Sequence, residues 1–199
     1  MRIRAVFEPA CRRGIDVVSF TISETPISGL IEIQPKLWGD YRGFFLEIFQ
    51  QQVYSDLGVN IPFVQDNLSR SSRGVLRGLH FQAKNPQGKL VTCLNGQVLD
   101  VVVDLRPSSD TLGRYHSTIL DSEKRNQLWI PPGFAHGFSV LTDSADFFYK
   151  CTDLYAPQNE RGIIWNDTDL AIDWRISSPK VSEKDVKLPT LQEVLESQL

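Results

Sequence analysis

Residues 89–105 read KLVTCLNGQVLDVVVDL, two apolar runs joined at Asn95-Gly96. Asn-Gly between two such runs favours a two-residue hairpin, so the stretch predicts strands over 89–94 and 97–105 with a tight turn between them. Working outward, comparable short runs bounded by turn residues occur at 16–22, 30–34, 43–49, 61–67 and 73–82 before it, and at 113–120, 127–130, 134–141 and 145–152 after it. Eleven strands at this spacing predict an all-β sandwich or barrel. Helix is confined to 50–57 and 190–198, where Thr190 and Glu193 have capping-box spacing behind Pro189. Residues 1–14 carry four arginines against one glutamate and show no periodicity. The expected organisation is an N-terminal extension over 1–16, loosely ordered, followed by a single domain over 17–199.

The totals narrow the function classes. A chain of 199 residues with 41% apolar and 23% charged residues has the composition of a globular protein with one core. A net charge of −3 and no Lys/Arg run longer than a pair argue against nucleic acid as a partner. Three cysteines, Cys11, Cys93 and Cys151, are an odd number without CxxC spacing, which suits neither a disulfide framework nor a structural zinc site and points to a reducing cytoplasm. Glu8 and Pro9 interrupt the basic N-terminus, so no signal peptide is expected, and no segment reaches the ~18 apolar residues a bilayer span needs.

His80, His116 and His136 are the whole histidine inventory. His136 follows Pro131-x-Gly133 in PPGFAHGF, a pattern similar to the second conserved motif of the cupin jelly rolls. The first motif of metal-binding cupins supplies a His-x-His pair and a glutamate, whereas His80 stands alone between Leu79 and Phe81. Two barrel histidines fall short of the three or more ligands that zinc or iron requires, so no metal is expected. His116, in GRYHST, reads as an ordinary polar residue. On 74–82, strict alternation puts Gly78 and His80 on one face and Arg77 and Leu79 on the other. Arg77 and His80 share a cavity only if Gly78 marks a bulge, and a buried arginine then implies an anion to bind; the alternative is that Arg77 lies at a strand end with its guanidinium in water.

The segments DYRGFFLEIF (40–49), FVQDNLS (63–69), GVLRGLHFQ (74–82), QGKLV (87–91), GQVLDVVVDLR (96–106), NQLWIPPGFAHGF (126–138), FFYKCTDLY (147–155) and IIWNDTDLAIDW (163–174) together closely resemble the dTDP-4-dehydrorhamnose 3,5-epimerases, the RmlC-like cupins of bacterial deoxysugar biosynthesis. The resemblance implies a metal-free, cofactor-free jelly roll and a homodimer with strands exchanged or extended across the interface. It also implies a dTDP-4-keto-6-deoxyhexose substrate whose C3 and C5 hydrogens are made acidic by the C4 ketone. By position, His80 matches the catalytic base, Asp185 in SEKD its orienting partner, Lys89 the residue that stabilises the enolate oxygen, and Tyr149 the acid on the opposite face. Asp100, on one face of its strand with Asp104, is a second candidate for orienting His80. Arg42 and Arg77 match diphosphate and sugar contacts, for which guanidinium suits phosphate. Tyr155 matches the thymine-stacking platform, and Glu47, Gln65, Asn67, His136, Glu160 and Lys184 match further substrate contacts. The implied activity is inversion of C3 and C5 to give dTDP-4-dehydro-L-rhamnose. Relatives that invert one centre, and a non-catalytic sugar-nucleotide-binding cupin, are the alternatives. Leu154 and Leu68 depart from an aromatic and a histidine in the family pattern, and the loop AKNPQG is slightly short.

Overall fold

A computed structural model describes residues 20–197. In chain order the elements are β1 (Phe20–Glu24), β2 (Ile31–Pro35), β3 (Trp38–Asp40), β4 (Gly43–Phe45), α1 (Gln51–Asp56), β5 (Gln65–Ser72), β6 (Leu76–Gln82), β7 (Lys89–Asn95), β8 (Gln97–Asp104), β9 (Tyr115–Asp121), β10 (Gln127–Ile130), β11 (Phe134–Val140), β12 (Ser144–Cys151), β13 (Glu160–Gly162) and α2 (Leu191–Glu196). A six-stranded sheet, β1-β2-β10-β7-β12-β5, faces a five-stranded sheet, β13-β6-β11-β8-β9, with β3-β4 standing apart as a two-stranded hairpin. The β-sandwich with two short peripheral helices matches the expected class. The expected extension at 1–16 lies outside the described residues. No described helix is long and apolar enough to cross a membrane.

The Asn95-Gly96 turn forms, but it does not close a hairpin. β7 pairs with β10 and β12 in one sheet, while β8 pairs with β11 and β9 in the other. Turn chemistry dictates only the local reversal. Val91 and Cys93 of β7 and Val98 and Val102 of β8 share one core cluster, so these strands bury their apolar faces against each other across the sandwich instead of lying side by side. Gly96 is required here: its φ is +74°, and a Cβ would sit 2.2 Å from the Ser144 carbonyl oxygen.

β8 shows why its sequence is apolar almost without interruption. Val98 and Val102 point between the sheets, whereas Leu99, Val101 and Val103 join a second cluster with Leu79, Ile163, Trp174, Leu191 and Val194 on the outer face of the five-stranded sheet. A strand covered on both faces reads as a continuous hydrophobic run. Its two inward polar residues are then conspicuous: Asp100 and Asp104 are both fully buried. Asp104 accepts hydrogen bonds from Arg106, Ser109 and Thr111, and although burial raises its pKa those bonds outweigh it and hold the carboxyl down at about 2. On the outer face of the six-stranded sheet, α1 seats Tyr54 beside Ile33, Leu90 and Trp129, its hydroxyl donating to Gln127. α2 is closed by the expected capping box, Thr190 accepting from the Glu193 amide and Glu193 from the Thr190 amide.

Three other boundaries differ from the sequence reading. The run 61–67 becomes a strand only at Gln65 and continues to Ser72, residues 73–75 form a turn ahead of β6, and 43–49 contributes only β4 of the separate hairpin. β13 is too short to show periodicity and exists because it pairs with β6, Gly162 opposite His80.

Candidate active site

β6 carries the bulge on which the placing of Arg77 and His80 depends. Against β11, His136 pairs with His80 and Phe138 with Arg77, so three steps on β6 match two on β11. Leu76 and Leu79 consequently both join the outer core, and Arg77 and His80 both line the inner cavity. The bulge needs two small residues. Gly78 has φ +112°, a Cβ on it would lie 2.6 Å from Gly137 Cα, and a Cβ on Gly137 would lie 2.7 Å from the Arg77 carbonyl oxygen.

His80 Nε2 lies 2.7 Å from Asp185 Oδ1, and the ring makes no other hydrogen bond among the described residues. The second Asp185 oxygen accepts from the Gly78 amide at 3.3 Å, and the Asp185 amide donates to Ser182 Oγ at 3.1 Å. Burial pushes the Asp185 carboxyl up, but the hydrogen bond and charge of His80, with the Gly78 amide and Ser182, leave it below the ordinary value. With Asp185 ionised and the ring proton on Nε2, the Nδ1 lone pair is left for the cavity.

Asp100 does not orient His80. It points between the sheets one strand further on and pairs with His136, Nε2 to Oδ2 at 2.8 Å, because β8 and not β6 lies beside β11 on that side. The other Asp100 oxygen is buried without a hydrogen bond among the described residues. His136 stacks on Phe147 with ring centroids 5.8 Å apart, and burial lowers its pKa below the usual imidazole value even against the pull of Asp100. His116 pairs with Glu32 at 3.0 Å, away from the cavity.

From the six-stranded sheet, Lys89 on β7 and Tyr149 on β12 face the same space, the Lys89 Nζ 6.0 Å from the Tyr149 ring centroid. Burial lowers the Lys89 pKa, partly offset by Cys151, Asp100 and Glu160. Burial likewise raises the Tyr149 pKa, so its hydroxyl stays protonated at neutral pH. His80, Lys89 and Tyr149 are common to two lobes of about 480 Å³ and about 300 Å³. Arg77, His136, Lys184 and Asp185 line the larger lobe, and Gln65, Asn67, Tyr155 and Glu160 the smaller. Tyr155 donates its hydroxyl to Glu160 at 2.8 Å, and Lys184 pairs with the same carboxylate oxygen. Arg77 is exposed and not buried, because the bulge turns it to the open mouth of the larger lobe; it donates to Ser71 Oγ at 3.1 Å and has no acidic partner among the described residues, so its charge is kept in contact with solvent without needing a buried anion. Another cavity of about 600 Å³, among the 22–31 and 56–58 segments, gathers no such set of acid, base and cation among the described residues.

These surroundings gather the groups that moving a carbon-bound proton calls for: an imidazole oriented by a carboxylate, a lysine facing the same cavity, and a phenol arriving from the opposing sheet. The whole site sits on a chain whose residues 24–193 match the family model described as dTDP-4-dehydrorhamnose 3,5-epimerase. The chain belongs to that family. It is 51% identical over 80% of its length to the dTDP-4-dehydrorhamnose 3,5-epimerase of Pseudomonas aeruginosa, covering 89% of that protein. Among solved structures it resembles RmlC from Legionella pneumophila in complex with dTDP-4-keto-L-rhamnose, with a TM-score of 0.87, 49% identity, and coverage of 90% of this chain and 97% of that one. It also resembles ChmJ, a 3'-monoepimerase from Streptomyces bikiniensis in complex with dTDP-quinovose, with a TM-score of 0.82 and 33% identity over 88% of this chain and 90% of that one. The fold is thus the cupin-like β-sandwich of the epimerases.

Of the residues singled out in the sequence, Arg42 and Glu47 do not reach this cavity. Arg42 caps the β3-β4 hairpin in an exposed ion pair with Asp40, and Glu47 lies near Tyr54 on the outer face of the six-stranded sheet. Conversely, Cys151, Gln82, Gln87 and Ser182 belong to the site and were not foreseen. Cys151 was legible in principle, since period-two alternation along β12 puts it on the face of Phe147 and Tyr149. The glutamines carry no comparable signal.

Proposed function

We propose that the protein inverts both C3 and C5 of dTDP-4-dehydro-6-deoxy-D-glucose, giving dTDP-4-dehydro-L-rhamnose. The observation that carries the reading is the approach of the reactive groups from opposite sheets: the His80–Asp185 pair from the five-stranded sheet and its flanking turn, Tyr149 and Lys89 from the six-stranded sheet. Inversion requires a base on one face of the sugar and an acid on the other. His80 Nδ1 takes the proton from the carbon beside the ketone, and the electron pair of that C–H bond moves into the enolate. Lys89 stabilises the charge that collects on the C4 oxygen. The Tyr149 hydroxyl then gives its proton to the opposite face of the same carbon, and solvent restores both groups before the second centre reacts. Arg77 takes the diphosphate, Tyr155 the thymine face, and Asn67, His136, Glu160 and Lys184 further contacts.

Incubation with the 4-keto sugar nucleotide in deuterated water tests the reading. Deuterium appears at both C3 and C5 of the product if it holds. Incorporation at one carbon identifies a single-centre epimerase, and none at either leaves a binding protein.

The pH profile follows from the half-buried lysine. A lowered pKa means that Lys89 loses its charge at a pH below the ordinary lysine range, whereas Tyr149 is shifted upward. The expected kcat therefore falls on the alkaline side earlier than a solvent-exposed lysine would titrate, and this limb persists in Tyr149→Phe. A profile flat through that range removes Lys89 from the enolate role.

The same proposal includes a homodimer. The β3-β4 hairpin leaves both sheets and exposes Tyr41 at 96% and Phe45 at 70% of their surfaces, an apolar projection suited to a second copy of the chain. In that arrangement the hairpin of one protomer delivers Arg42 to the partner's diphosphate. Mixing Arg42→Ala with His80→Ala subunits is expected to restore activity beyond the sum of the two, because a mixed dimer contains one site with both residues. A purely additive result would place Arg42 elsewhere. Residues 17–199 act as one domain in the cytoplasm, where the free thiols of Cys93 and Cys151 stay reduced, without nucleic acid or membrane.

A further inference from the structure

Residues 153–156, which carry Tyr155, have no regular secondary structure, and such segments ordinarily satisfy their backbone with water. Here amide side chains do so instead. Gln87 Nε2 donates to the Asp153 carbonyl at 2.8 Å, the Tyr155 amide donates to Gln65 Oε1 at 2.9 Å, and the Ala156 amide donates to Gln82 Oε1 at 2.6 Å. Gln82 Nε2 is spent on the carbonyls of Asn85 at 2.9 Å and Leu154 at 3.4 Å. All three glutamines line the smaller lobe, yet Gln82 is buried and engaged at both ends of its amide, so its purpose is not a direct ligand contact. Ordering three long side chains costs conformational entropy, and what is obtained in exchange is a fixed main chain on either side of Tyr155. The Tyr155 hydroxyl is anchored independently on Glu160, while half of the residue's surface stays exposed and the residue lines the lobe.

We infer that Gln82 and Gln87, acting with Gln65, are positioning residues for nucleotide binding: they hold Tyr155 with its ring already set to receive the base. An aromatic surface set before binding loses less freedom when a base stacks on it. The inference rests on the reading of Tyr155 as the thymine platform. It also accounts for the chain arrangement around the loop 83–88, since Gln82 ties that loop and the Tyr155 segment to the end of the same strand that bears His80.

Calorimetric titration with dTDP alone, together with kcat and KM for the sugar nucleotide, tests it in a double-mutant cycle. Tyr155→Ala is expected to weaken dTDP about 10-fold, within the range of one base–aromatic stack. Gln82→Leu is expected to approach that loss, and Gln87→Leu, at a half-buried position that spares the fold, to weaken dTDP about 3-fold, both raising KM with kcat held. In the Tyr155→Ala background both glutamine substitutions should cost nothing further. Losses that persist undiminished in that background, or glutamine variants that bind dTDP as the parent does, overturn the clamp while leaving the platform standing. Parental dTDP affinity in Tyr155→Ala overturns the platform reading itself, and the clamp with it.

Discussion

His80→Ala is expected to abolish deuterium incorporation at both C3 and C5 and to lower kcat by about 1,000-fold, in the middle of the range a positioned general base supplies. One base serving both carbons makes the losses equal at the two positions. The fold should survive. His80 is only partly buried, and its removal leaves Asp185 with the Gly78 amide as a remaining donor. A buried carboxylate deprived of one hydrogen bond costs about 1–3 kcal/mol, a fall of several degrees in Tm and no more. Circular dichroism and a melting curve check the fold, and mass spectrometry of the sugar checks the exchange. Retained exchange at either carbon in a folded variant would remove His80 from that centre.

Tyr149→Phe is expected to separate two events that the parent protein couples. The ring keeps its place on β12 beside Phe147, 5.8 Å between centroids, so packing changes little. The base, its aspartate and the lysine all remain, so the proton still leaves the carbon and the enolate still forms. What is missing is the donor on the far face. The enolate is then reprotonated from the side it came from, by an imidazolium that has exchanged with solvent. The expected result is deuterium in unreacted substrate with configuration retained, and product formation down by about 100-fold or more. Nuclear magnetic resonance distinguishes labelled substrate from product directly. If inversion continued at the parental rate, another group would have to be the acid.

Much of the architecture could be read from residue order, because its causes are local. Period-two runs with turn residues between them force strands, and a capping box with Thr190 and Glu193 starts a helix wherever the rest of the chain lies. The apolar run of β8 likewise announced a strand, while its burial on both faces came from the packing of the two sheets and the outer cluster. Partner choice was different. Asn95-Gly96 signalled a reversal, but whether the two strands lie side by side or face each other depends on which arrangement buries Val91, Cys93, Val98 and Val102, and those are contacts made across the sandwich. The short strand β13 and the hairpin β3-β4 are defined by their neighbours and had no pattern of their own.

For the site the division runs the same way. Residue types alone offered a candidate proton acceptor in a β-run and a glycine whose role as a bulge would decide where Arg77 points; the register against β11 supplied that decision. Motif resemblance named Asp185 as the partner of His80, yet Asp100 stayed open until burial directed it to His136, because two residues on different strands meet only through sheet order. The glutamines around Tyr155 are invisible in one dimension for the same reason. Chain order determined which segments become strands and which chemistries are available, since those follow from side-chain spacing and type. Tertiary structure alone decided which of those side chains share a cavity, since closeness between residues 80, 149 and 185 is produced by burial of the apolar faces that carry them.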